Sequence, residues 1–194
     1  MKHLLVVNAS PFADSAAGMQ QIQPLLTETQ SRNIRMTQRD CAGLPSLSAE
    51  YARAVTAARP ATAPVFALSE QLICELERAQ AVIISTPLHN FTLPAALKLW
   101  LDYVVRQGRT MQMTAQGKQG LLPPRPVLVL IRSGGACHGE SARQPDFLTP
   151  YLTCILPLAG LYEPEFVWLP GGQPAGPDVK AARQALSAFL QRLF

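Results

Sequence analysis

The sequence predicts a three-layer α/β/α fold built on a five-stranded parallel sheet with strand order 2-1-3-4-5. Three observations lead there. Short apolar runs at 4–7, 81–85 and 126–131 have no alternating polar residues, the pattern of strands buried on both faces. Between such runs, apolar residues recur at helical spacing, so strands and helices alternate along the chain. Each run also ends abruptly in small, polar or turn-forming residues: Asn8-Ala9-Ser10, Thr86-Pro87 and Ser133-Gly134-Gly135.

Taken in order, residues 4–7 form the first strand, and a loop of small residues follows from Ser10 to Gly18. Met19, Ile22, Leu25 and Leu26 then mark a helix starting near Ala16 or Ala17, which Pro24 should limit or kink. Residues 33–38 alternate as a half-buried second strand. The stretch 40–64, rich in Ala, Pro, Ser and Thr, is an excursion with one short helix at 49–58. Excursions of that length usually serve as lids or interface pieces. Val65, Leu68, Leu72, Ile73 and Leu76 define an amphipathic helix over 65–78, and 81–85 is the third strand. The helix at 95–106 is apolar enough to need cover on more than one side. Residues 109–122, with Gly117 and Gly120, read as a hairpin or flap before the fourth strand at 126–131. Thr149-Pro150 opens an apolar helix that runs to Gly160, residues 165–169 are the fifth strand, and 178–194 is a terminal amphipathic helix. Nothing marks a second domain, so 1–194 is expected to be one unit.

The composition narrows the function classes. Of 194 residues, 48% are hydrophobic and 15% charged, which predicts an extensive core and excludes a disordered chain. The net charge of +4 comes from scattered Lys and Arg, without the basic, aromatic-interleaved patch of a nucleic-acid binder, and it suits a small anionic ligand. Cys41, Cys74, Cys137 and Cys154 lie far apart with no His at ligand spacing, so free thiols in a reducing compartment are expected and no metal site. The apolar start is too short for a secretory signal, and no run approaches the ~20 apolar residues of a membrane span. A cytoplasmic protein with no membrane partner is the expectation.

In this strand order, the loops after strands one, three and four share the carboxyl edge at the switch point. The first offers the hydroxyls of Ser10 and Ser15 and a helix N-terminus, but neither a dinucleotide glycine fingerprint nor a Walker lysine. It reads either as a phosphate monoester site or as an ordinary serine-capped helix. The second, Pro87 to Phe91, offers an amide at Asn90 that can both donate and accept against a heterocycle edge. Its alternative is a proline-limited turn with a packed Phe91. The third, Ser133-Gly134-Gly135, lets backbone approach a flat ligand, although a Gly-Gly after a strand is also an ordinary turn. His138 reads as a surface or hydrogen-bonded histidine rather than a base.

Four segments carry a resemblance to a known family. Leu68-Ser69-Glu70-Gln71-Leu72-Ile73, Thr86-Pro87-Leu88-His89-Asn90-Phe91, Leu97-Lys98 with Asp102, and Thr149-Pro150-Tyr151-Leu152 resemble the FMN-dependent NADH azoreductases. These are flavodoxin-like homodimers that also reduce quinones. The resemblance implies bound FMN, with its phosphate on Ser10 and the Ser15-Ala16-Ala17 turn. It implies ring contacts from Leu88, His89, Asn90 and Phe91, and from Arg132, Ser133, Gly134 and Gly135. It also implies ping-pong hydride transfer from NADH or NADPH to a quinone or aromatic azo acceptor, with the chemistry carried by the cofactor and no catalytic side chain. The helices at 95–106 and 149–160 would then form the dimer interface, with the 109–122 hairpin or the 40–64 excursion as substrate walls. Three positions depart from the family's usual pattern. Serine is common where Ala17 stands, Met-Tyr where Leu88-His89 stand, and Ser-Arg where Arg132-Ser133 stand. The other classes considered are a flavodoxin-type electron carrier, usually strongly acidic where this chain is +4, and a family member that folds and dimerises without catalysis. A receiver domain would need an acidic pair after the first strand, and Asn8-Ala9-Ser10 lacks it.

Overall fold

Leu4, Leu5, Val6 and Val7 are all fully buried, so the first strand must be covered on both faces. The computed structural model describes residues 2–12, 16–31, 34–140, 142–170 and 176–193. In chain order the first half comprises β1 (Lys2–Asn8), α1 (Ala17–Ser31), β2 (Ile34–Asp40), α2 (Ala49–Thr56), α3 (Ala67–Arg78), β3 (Ala81–Pro87) and α4 (Ala95–Val104). The second half comprises β4 (Met111–Thr114), β5 (Gly117–Gly120), β6 (Val127–Ser133), α5 (Leu148–Ile155), β7 (Glu165–Pro170) and α6 (Gly176–Leu193). The main sheet is parallel with order β2-β1-β3-β6-β7, which is 2-1-3-4-5 when the separate β4–β5 hairpin is left out of the count.

Alternation along the central strands builds the two outer layers. Leu5, Val7, Val82, Ile84, Val129 and Ile131 pack against residues of α2, α3, α4 and α5. Leu4, Val6, Ile83, Leu128 and Leu130 pack on the opposite face against Met19 and Ile22 of α1 and Leu186 and Phe189 of α6. The sheet edges differ in character. β7 carries Phe166, Val167 and Trp168, all half-buried, whereas β2 carries Arg35 and Arg39, and Arg39 donates from Nε to Glu75 at 2.9 Å.

Several local readings change. Pro24 does not end α1, which runs on to Ser31; Pro24 is exposed, so the hydrogen bond it cannot donate lies on the watery side of the helix. The helix expected to reach Gly160 tightens after Ile155 into a 3-10 turn at Leu156–Ala159, where Pro157 removes a donor. Gly160 then reverses the chain at φ 77°. A side chain there would also meet Leu122 Cβ at 2.8 Å.

The 40–64 excursion is anchored to the core by buried Cys41, Tyr51 and Ala54, although most of its other residues are exposed. Ser48 caps α2 by accepting the Tyr51 N–H at 3.0 Å. Tyr51 is then gripped edge-on by Phe66 at 5.4 Å and Tyr103 at 5.3 Å, and the Tyr103 hydroxyl donates to the Pro45 carbonyl at 2.9 Å. At the start of the excursion, burial pushes the Cys41 thiol up to about 12.

Beneath this segment lies a buried cation. Arg106 is 4% exposed, donates from Nη1 to Ser69 Oγ at 2.8 Å, pairs with Glu70, and lies 4.3 Å over the Phe66 ring. Ser69 in turn donates to the Tyr103 carbonyl at 2.6 Å. Burial lowers the Arg106 guanidinium from its ordinary value, yet the ion stays paired. Arg109 extends the network to Glu70 at 3.0 Å and to both oxygens of Glu77 at 2.7 and 2.8 Å, and this hydrogen bonding holds the Glu77 carboxyl below its usual range. Arg106→Ala removes the Ser69 hydrogen bond, the packing on Phe66 and one of the two cations on Glu70, leaving Arg109. It should cost about 2–3 kcal/mol, below a fully buried pair because Glu70 keeps Arg109 and some water contact. Urea denaturation should show a lower midpoint with an unchanged slope. Arg106→Lys should recover only part, since an ammonium cannot reproduce the planar reach from Ser69 to Glu70.

Candidate functional site

The chain leaves β1 on one side to reach β2 and returns on the other to β3, so the carboxyl ends of β1 and β3 open a crevice between them. A cleft of about 310 Å³ lies there, lined from the loop after β1, the first residues of α1, the end of β3 and the end of β6.

The loop after β1 is tethered by its own polar groups. Asn8 Oδ1 accepts the Ser10 N–H at 3.2 Å, Ser10 Oγ accepts the Phe12 N–H at 3.3 Å, and the Ala9 N–H continues the ladder to the Ser85 carbonyl at 2.8 Å. The Ser10 hydroxyl keeps its hydrogen to donate. Gly18 lets α1 press onto the strands, because a Cβ built there would stand 2.3 Å from Ser85 Oγ, with Leu130 Cδ2 at 3.7 Å. The first N–H groups of α1 have no partner within the helix and sit at its positive end, a fit for the phosphate of a mononucleotide.

The loop after β3 is a strained hairpin. Leu88 donates to the Arg132 carbonyl at 2.8 Å, and His89 and Thr92 exchange backbone hydrogen bonds at 2.8 and 2.9 Å across Asn90 (φ 46°) and Phe91 (φ 69°). Two positive φ values in a two-residue loop define a type I′ turn, which suits Asn and costs a residue such as Phe about 1–2 kcal/mol. The Phe147 N–H holds the Phe91 carbonyl at 2.9 Å. The Asn90 amide and the N–H groups of Asn90 and Phe91 have no hydrogen-bond partner among the described residues. A strained, anchored loop with unspent polar groups fits the edge of a flavin ring.

The loop after β6 is knotted from within. Ser133 Oγ donates to the Gly135 carbonyl at 2.7 Å and accepts its N–H at 3.3 Å, while the Arg143 N–H closes onto the Ala136 carbonyl at 2.8 Å. His138 stacks on Trp168 at 4.5 Å with 4° between the planes, so its ring is a packing element of β7. A Cβ built on Gly134 would meet nothing within 4 Å, leaving its backbone open on the cleft.

Of the residues the sequence singled out, the cleft gathers Ser10, Ala16, Ala17, Leu88, His89, Arg132 and Gly134. Asn90, Phe91, Ser133 and Gly135 stand beside it, and Ser15 lies outside the described residues. Pro11, Phe12, Gly18 and Ser85 also line it, beyond the residues that the sequence singles out, as does Thr86 at the head of the segment running to Phe91. The signal for Gly18 and Ser85 was available: a polar Ser85 inside an apolar strand, and a glycine in the first turn of a helix.

The family model for the flavodoxin-like fold matches residues 2–193. The chain belongs to this family. Among its flavodoxin-like relatives, an FMN-dependent NADH:quinone oxidoreductase of Burkholderia lata is 48% identical over 99% of this chain and 97% of that protein. One of the same description from Pseudomonas fluorescens is 48% identical over 100% of this chain and 97% of its own. The crystal structure of an FMN-dependent NADH-azoreductase from Bacillus anthracis in complex with FMN shares the fold, with a TM-score of 0.78 at 20% identity over all of both chains.

Two substitutions test this geometry. Gly18→Ala should destabilise by about 1–3 kcal/mol through overpacking, Ser85→Ala should be nearly silent, and the double variant should recover most of the loss, since the close contact is with Ser85 Oγ alone. Phe91→Gly creates the Asn-Gly pair that a type I′ turn favours, but Phe91 is 40% exposed, so the burial of more than half of its surface is lost. The two effects oppose one another, and thermal unfolding should show a net change within about 1 kcal/mol, with Phe91→Ala, which loses the ring without gaining the turn, clearly less stable.

Proposed function

We propose that this protein is an FMN-dependent NAD(P)H oxidoreductase that reduces quinones and aromatic azo compounds. The observation that carries the reading is the pairing, across one cleft, of a helix N-terminus suited to a phosphate with a strained amide-bearing loop suited to a ring edge. The descriptions of the relatives in Burkholderia and Pseudomonas support it. FMN, when bound, would supply the hydride chemistry, taking a hydride from NADH or NADPH and passing it to the acceptor.

The chain's own residues then have defined tasks. Ser10, Ala16 and Ala17 hold the phosphate through hydroxyl and backbone N–H groups, and the family resemblance adds Ser15 to them. Leu88, His89, Asn90 and Phe91 border the ring on one side, and Arg132, Ser133, Gly134 and Gly135 border it on the other. Ser133 acts through its loop, because its hydroxyl is spent on Gly135. No side chain need act as nucleophile or base.

The whole chain 1–194 works as one unit, and two copies associate through α4 and α5. Support comes from half-buried Leu99, Tyr151 and Ile155 on those elements, beside Lys98 and Asp102. Phe12 and Phe147, exposed at 66% and 59%, would be covered by such a partner. Four free cysteines suit a cytoplasmic setting, and among the described residues no helix is long and apolar enough to cross a membrane.

The test is a titration of apoprotein with FMN followed by steady-state turnover. A yellow, dimeric protein that oxidises NADH only in the presence of menadione or an azo dye is expected. Failure to take up FMN defeats the reading, and uptake with negligible turnover makes the protein an electron carrier instead.

A further inference from the structure

We infer that Asp146 is a positioning residue for the flavin: through the Phe147 N–H it holds the Asn90–Phe91 turn in the conformation that borders the ring. This rests on the FMN reading above and goes beyond it, since Asp146 is not among the residues lining the cleft.

The Asp146 carboxylate organises the start of α5. Its Oδ1 accepts the Leu148 N–H at 2.8 Å and the Thr149 N–H at 3.0 Å, and its Oδ2 accepts the Thr149 hydroxyl. These bonds fix the first turn around Phe147, whose own N–H crosses to the Phe91 carbonyl at 2.9 Å. The far side of that turn is fixed as well, because Leu148 and Leu152 are fully buried in the core. Asp146 and its neighbours thus form a rigid post that presents one donor to the hairpin.

The receiving turn needs such a hold. Asn90 and Phe91 stand at φ 46° and 69°, a left-handed region that penalises a residue such as Phe. Within the loop, the paired backbone bonds of His89 and Thr92 oppose that penalty. Among the described residues, the Phe147 bond is the one backbone hydrogen bond that ties Asn90 or Phe91 to the rest of the chain. Return of Phe91 to a negative φ would rotate the 90–91 peptide plane and turn the Phe91 N–H away from the ring edge. Asp146 therefore sets the fraction of molecules whose turn is ready for the flavin, and apparent affinity falls in proportion to that fraction. The phosphate end of the ligand plays no part.

Apoprotein is titrated with FMN and, separately, with riboflavin, following flavin fluorescence. The wild type, Asp146→Ala and Asp146→Asn are compared, each also in a Phe91→Gly background. Circular dichroism melts establish folding, and Thr149→Val, which trims the hydroxyl contact alone, is a milder variant in case Asp146→Ala does not fold. Asp146→Ala should weaken both flavins by the same factor, about 5- to 30-fold, the population equivalent of the strain at Phe91. Thr149→Val should give a smaller loss, again equal for the two. Asp146→Asn, whose amide oxygen still accepts the two N–H groups, should recover most of the affinity. Glycine holds a positive φ without cost, so in the Phe91→Gly background Asp146→Ala should change flavin affinity by less than about twofold. A residue that merely caps α5 would lower the melting temperature and leave flavin affinity where it was, and that result overturns the inference. So does an equal loss of affinity in both backgrounds, and so does a loss confined to FMN. A wild-type protein that binds neither flavin overturns the FMN reading itself, and this inference with it.

Discussion

The approach of α1 to the ends of β3 and β6 is the constraint on which the site depends. Gly18 sets it, because any side chain there would occupy the volume of Ser85 Oγ. With the helix pressed down, its N-terminal N–H groups open at the level where β1 gives way to the Ser10 turn, and the cleft takes its width from that spacing. The sheet beneath cannot yield, since Leu4 to Val7 and Val82 to Ile84 are buried on both faces. Rigidity below and a fixed helix above allow a binding surface made largely of backbone to hold its shape.

Much of the fold was legible because burial on both faces leaves an unmistakable mark. Continuous runs such as Leu4–Val7 and Val127–Ile131 fit only a covered parallel sheet, and their spacing leaves room for one helix between each pair. What remained illegible was long-range. That Tyr51 would drive the 40–64 excursion into the core, against Phe66 and Tyr103, depends on partners distant in sequence. The same holds for Arg106, which reads as a surface residue until Ser69, Glu70 and Phe66 are brought around it. Pro24 misled in the opposite direction, because an exposed helix face forgives the missing donor.

The candidate site shows the same division. Its three loops could be named from chain order, since strand ends at a switch point converge by topology. The conformation of each loop could not. Asn90-Phe91 as a type I′ turn requires a left-handed Phe, which local preference argues against and which the Phe147 anchor holds in place. The Ser133 hydroxyl is tied into its own loop through Gly135, a pairing that chain order does not reveal.

The charged edge strand β2 has a consequence for assembly. An open parallel sheet invites a second copy to add its own strand along the free backbone, and repetition of that step yields filaments. Exposed Arg35 stands on β2, while the Arg39 head is paired with Glu75 on the neighbouring helix layer, so a second β2 would bring its own Arg35 towards a like charge. Lateral sheet growth is thereby disfavoured at that border. The pairing through helical surfaces proposed above would instead close on itself and stop.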